Sequence, residues 1–199
     1  MTTATEQKSR SVFVVVTSTG TSVARAIRVL TKMPYSHVSL SSDASLRELY
    51  SFSRSFCRVP LPATFNRELI GEGTLGRFDR IPCEIYEIPM TQAQYARYEA
   101  LIQHFVSCRK MYSYSLMGLI WVKLQKERQL QNKFVCSQFV AYVLEECGIV
   151  IDKPPCLCTP EDLRHLPEAR LIYRGELNSY YRDQIENMNI YMPLMHSAV

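Results

Sequence analysis

The sequence predicts an α+β domain: a mostly antiparallel sheet with helices packed on it. Three observations carry that reading. Short β-branched runs of strand length are interspersed with amphipathic stretches of helical period. Two of the strand runs, Tyr35–Ser41 and Arg47–Ser53, are joined only by the turn residues around Asp43-Ala44-Ser45 and so form a hairpin. With 199 residues, 47% of them hydrophobic and 21% charged, the chain can bury one large core.

Taken in order, residues 1–10 are polar and form a flexible N-terminal tail. Ser11–Thr17 is a continuous apolar, β-branched run, as expected of a strand buried on both faces. After a turn at Ser18–Thr21, Ser22 caps a helix with Val23, Ile27 and Leu30 on its apolar side and Arg25, Arg28 and Lys32 outside, ending before Pro34. In the hairpin, alternation puts His37, Ser39 and Ser41 on one face. Residues 54–80, with Pro60, Pro62, Gly71, Gly73 and Gly76, read as an irregular flap or insertion. Cys83–Ile88 is a further strand. Thr91 then caps a helix whose stripe is Tyr95, Tyr98, Leu101, Ile102 and Phe105.

Leu116–Val122 is apolar but too short to span a bilayer, and a basic connection follows it. Thr159 and Pro160 are the N-cap and first residue of a short helix, and Leu171–Arg174 is the last strand. The domain thus runs from residue 11 to 181, with a C-terminal tail at 182–199.

The net charge of +4 comes without a long Lys/Arg run or an aromatic-interleaved basic stripe, which argues against a nucleic-acid partner. Seven cysteines are an odd number, and the polar start lacks the apolar stretch of a signal peptide. Free thiols in a reducing cytoplasm are the expectation.

The chemistry centres on Asn132–Gly148. Phe139, Val140, Val143, Leu144 and Cys147 recur at helical spacing, and Gly148 suits the position just past the helix end. Cys136 falls in the first turn on the apolar side, where the positive end of the helix dipole favours a thiolate. Such a cysteine is either a buried structural thiol or a nucleophile. A nucleophile needs a base, and His37 is the best of four histidines. It opens a strand and shares a face with small polar residues, whereas His104 is in mid-helix, His165 in a short helix and His196 in the tail.

The words Pro34-Tyr35-Ser36-His37-Val38-Ser39-Leu40 and Phe134-Val135-Cys136-Ser137-Gln138-Phe139-Val140, in that order, resemble the permuted papain-like branch of the NlpC-type cysteine hydrolases, which includes YiiX-like amidases and is related to lecithin:retinol acyltransferase-like proteins. Thr17–Thr21, Leu49–Phe52 and Thr159–Asp162 add a likeness to a group of uncharacterised bacterial proteins in that branch. The similarity covers about residues 12–181. It implies a circularly permuted papain-like fold and hydrolysis or acyl transfer at an amide, peptide or ester bond, with Cys136 as nucleophile and His37 as base and then acid. It implies no cofactor. The third member in relatives lies on the strand after the histidine strand, which here puts Ser51 first and Glu48, on the opposite face, second. A tyrosine near the oxyanion is matched by Tyr112, with Tyr114 as alternate, beside the Cys136 N–H.

The implied partner is a small-molecule, peptide or lipid substrate. Three rival readings stand beside this one. Cys147, Cys156, Cys158 and His165 could be soft metal ligands, although their spacing matches no common zinc motif. A decayed site would leave a ligand- or protein-binding module on the same fold. The Leu116–Val122 segment beside Lys123, Lys126 and Arg128 suggests contact with a membrane surface.

Overall fold

The computed structural model describes residues 10–20, 33–54, 63–115, 118, 121–122, 124, 126–128 and 130–196. The helix expected from Ser22, residues 55–62 of the expected flap and most of the Leu116–Val122 segment lie outside the described residues.

Six strands form one antiparallel sheet: β1 (Arg10–Thr17), β2 (His37–Ser41), β3 (Leu49–Arg54), β4 (Ala63–Glu68), β5 (Pro82–Met90) and β8 (Arg170–Glu176), in the order β4-β3-β2-β1-β5-β8. The α+β class is therefore as the sequence predicts. β1 is central, and both its faces are covered. Val12, Val14 and Val16 pack under α1 (Gln92–Ser107) and α2 (Cys136–Glu146), while Phe13 and Val15 pack with Ile81, Ile85, Leu177 and Tyr180. Double coverage is why this strand has no polar alternation.

The capping box expected at α1 is present: Thr91 accepts from the Gln94 N–H and Gln94 answers at the Thr91 N–H. All five stripe residues from Tyr95 to Phe105 are buried. On the same side, Phe52, Phe65, Phe105, Phe134 and Phe139 pack with ring centroids 5.0–6.1 Å apart, which locks β3 and β4 against α1 and α2. Each such pair contributes about 0.5–1.5 kcal/mol beyond the area it buries. A short parallel pair, β6 (Ser113–Tyr114) and β7 (Lys133–Phe134), leads into α2.

Two boundaries differ from the sequence reading. The flap contains β4, which pairs with β3 from Leu49↔Glu68 to Arg54↔Ala63. Phe65 fills the aromatic cluster, so this segment is held by core packing and is a strand of the sheet despite its Gly- and Pro-rich flanks. The C-terminal tail is a helix, α4 (Leu177–His196), anchored at its start by Leu177 and Tyr180 in the second core.

Candidate active site

On the half of the sheet made by β2, β3 and β4, the second face is polar. Alternation sends Val38, Leu40, Tyr50, Phe52 and Phe65 into the helix-covered core. It sends His37, Ser39, Ser41, Ser51, Asn66 and Glu68 the other way. Ser41 and Ser51 have 0% exposure. Buried hydroxyls are costly without partners, so this row must be internally bonded.

Its centre is Glu68. The Glu68 Oε2 atom lies 3.1 Å from His37 Nε2 and accepts hydrogen bonds from Ser51 Oγ (2.7 Å) and Ser39 Oγ (3.1 Å). Burial disfavours charge on both partners, yet their attraction wins. The His37 ring is held up at about 10 by the Glu68 charge and by hydrogen bonds to Cys136 and Glu68. The Glu68 carboxyl is held down at about 2 by His37, with Ser51 also donating to it. Glu68 engages Nε2, with Ser39 Oγ 3.3 Å from the same nitrogen, and this fixes the ring's orientation.

Cys136 reaches this row at its end, because His37 is the first residue of β2 and Cys136 the first of α2. Cys136 lies close enough to the ring to help hold its pKa up. The structure thus joins Cys136, His37 and Glu68, with the two serines steadying the carboxylate. Val135, the N-cap, offers the helix no side-chain bond, and the positive end of the α2 dipole lies beside the sulfur.

The start of α2 is tied down by the segment after it. Ser137 Oγ donates to the Cys158 carbonyl at 2.6 Å. The next residue, Thr159, caps α3 (Pro160–Arg164) in a reciprocal box with Asp162. From α3, Arg164 reaches back to Glu84 on β5 through Nε (2.6 Å) and Nη2 (2.9 Å), and its guanidinium covers the Tyr35 ring at 5.0 Å. Tyr86 Oη and Arg174 Nε also bond Glu84, and Arg164 foremost, with these two, holds that carboxyl at about 2 although burial opposes it. The strand entrance before His37 and the helix bearing Cys136 are therefore stitched to one buried ion cluster.

The sequence-predicted residues fall as follows. Cys136 and His37 come together. Ser51 is in the row, but it contacts Glu68, so it supports the carboxylate. Glu48 is outside the row: its carboxylate bonds Tyr50 Oη and Arg67 Nη1. The Tyr112 hydroxyl pairs with His104 Nε2 at 3.0 Å, and its ring packs against Phe105. Tyr114 is half-buried against the main core. Glu68 was missed. Its signal was the alternation Ala63-Thr64-Phe65-Asn66, which marks a short strand whose polar face, continued by two residues, reaches Glu68.

Of the other thiols, burial pushes Cys147 up to about 11 and Cys83 and Cys158 up to about 12. Cys108 is half-exposed, 4.0 Å from His104 Nδ1. Among the described residues, no group of three or more His, Cys, Asp or Glu is placed to hold a metal ion. No helix among them is long and apolar enough to cross a membrane. No protein-family model and no curated protein matches the chain.

Proposed function

We propose that this chain is a cysteine hydrolase or acyltransferase of the permuted papain-like kind, acting on an amide, peptide or ester bond. The observation that carries the proposal is the buried Cys136–His37–Glu68 arrangement, in which the sulfur and the carboxylate act on one imidazole. His37 takes the Cys136 proton, and Glu68 balances the imidazolium that results. The thiolate attacks the carbonyl carbon, and the oxyanion is met by N–H groups at the start of α2. His37 then gives its proton to the leaving amine or alcohol as the C–N or C–O bond breaks, leaving a thioester on Cys136. Water, deprotonated by the same ring, or another acceptor releases the acyl group and restores the thiol.

The test is turnover of a panel of chromogenic amides, thioesters and esters by the wild type beside Cys136→Ser and His37→Ala. Hydrolysis lost in both variants, with an acyl adduct on Cys136 seen by mass spectrometry, is the expected result. Turnover that survives Cys136→Ser overturns the assignment. One observation favours the competing reading of a binding module: Cys136 is only 4% exposed. On that reading an acyl-directed thiol probe leaves Cys136 unmodified while the folded protein still binds a ligand.

A further inference from the structure

Beside the triad carboxylate lies a cleft of about 340 Å³, lined by Ser53, Asn66, Glu68, Glu72, Thr74 and Arg109 among others. This is near the lower end of the range of small-molecule sites, about 300–1,000 Å³. Two of its walls carry opposite charges that do not meet. Glu72 and Arg109 are both exposed, and neither makes an ion pair among the described residues. The other two charged walls are occupied: Glu68 by His37 and Arg67 by Glu48.

Arg109 is also held in place. Its Nη2 donates to Asn66 Oδ1 at 2.6 Å, and Asn66 Nδ2 donates to the Ser53 carbonyl (2.9 Å) and hydroxyl (3.0 Å). Asn66 is 8% exposed, so its amide is fixed with its oxygen toward the guanidinium. One N–H of five is thereby used for anchoring, and the rest of the fork faces the cleft or solvent. A pre-positioned guanidinium loses little entropy on meeting a carboxylate. A free carboxylate on the same cleft wants an ammonium.

We propose that this cleft binds a zwitterionic ligand, a short peptide or amino-acid group, with Arg109 taking its carboxylate and Glu72 its ammonium. The proposal rests on the hydrolase reading in naming that ligand as substrate or product of the triad, since Glu68 is shared by cleft and triad. The binding itself does not depend on turnover.

Calorimetric titration of the full chain carrying Cys136→Ser, with alanyl-alanine and its N-acetylated and C-amidated forms, tests it. The expected result is binding of the free dipeptide, weakened about tenfold or more by blocking either end. Arg109→Ala should erase the penalty for amidation and leave that for acetylation, Arg109→Lys should keep part of the first, and Glu72→Gln should erase only the second. Binding indifferent to both blocks, or no binding by a protein that circular dichroism shows to be folded, overturns the inference. If zwitterion selectivity is found but the wild type turns nothing over, the hydrolase reading falls and the cleft assignment stands. If turnover depends on Cys136 but the dipeptides do not discriminate, the cleft assignment falls alone.

Discussion

Glu68 Oε2, on the edge strand β4, lies 3.1 Å from His37 Nε2 and accepts hydrogen bonds from Ser39 and Ser51, so one carboxylate oxygen joins its own strand to the two beside it, β3 and β2. In the proposed mechanism, that convergence makes Glu68 the group that orients the base. Glu68→Gln should lower kcat/KM by about 10²-fold or more, the range associated with misplacing a general base. Ser51→Ala, which removes one donor to a charged acceptor, should cost about tenfold. Glu48→Gln should leave kcat/KM unchanged. Steady-state kinetics on one substrate checks all three, and a larger loss for Glu48→Gln than for Glu68→Gln would contradict the geometry.

The same pair sets a pH window. The folded pKa of His37 lies above its ordinary 6.5, so its stabilisation is fully present below that value and is lost as pH rises through about 10. The folded pKa of Glu68 lies below its ordinary 4.5, so its stabilisation is present above 4.5 and is lost as pH falls through about 2. Stability from the pair is therefore greatest between about 4.5 and 6.5 and declines on either side. Urea unfolding across pH should show that window narrowing in Glu68→Gln. An NMR titration of the His37 ring should show its pKa falling in that variant; an unchanged value would mean that the carboxylate is not what raises it.

The start of α2 depends on the Cys158 carbonyl. Ser137→Ala leaves that buried acceptor without its 2.6 Å donor and should cost about 1–3 kcal/mol. Thr159→Ala removes the N-cap of α3 and should cost about 1 kcal/mol. Urea denaturation measures both. A Ser137→Ala variant as stable as wild type would show that α2 is held by its apolar face alone.

Arg164→Met breaks the cluster at Glu84, whose side chain is only 2% exposed. Losing one member of a buried ion pair costs about 3–5 kcal/mol, because the remaining charge is left poorly compensated. Here Arg174 and the Tyr86 hydroxyl still bond Glu84, so the lower end of that range is expected. The combination Glu84→Gln with Arg164→Met should recover part of the loss in thermal unfolding. No recovery would mean that Arg164 acts through its packing on Tyr35.

Much of this was legible in the sequence where periodicity and burial agree. The α1 stripe, the α2 face, the hairpin and the continuous β1 run all follow from which positions must be apolar. Cys136 and His37 were readable because one opens an amphipathic helix and the other opens a strand whose outward face is all small and polar. Glu68 was not, because its strand is short and the Gly and Pro residues on either side outweigh four alternating positions, Ala63 to Asn66. Ser51 was placed on the right face, yet its role is fixed by a partner on a neighbouring strand, and cross-strand register is not written in either strand alone. Tyr112 pairs with His104 because the α1 C-terminus folds back on it, a tertiary contact without a local pattern.

The central claim, that Cys136 is activated by His37 and Glu68, is tested most directly by the alkylation rate of Cys136 near pH 6.5. Peptide-level mass spectrometry with iodoacetamide can follow it in a Cys108→Ser background, which removes the half-exposed thiol beside His104. Cys136 should react faster than Cys83, Cys147 and Cys158 despite similar burial, and His37→Ala and Glu68→Gln should each slow it at least about tenfold. A Cys136 that reacts no faster than those three, or whose rate is the same in both variants, would contradict the central claim.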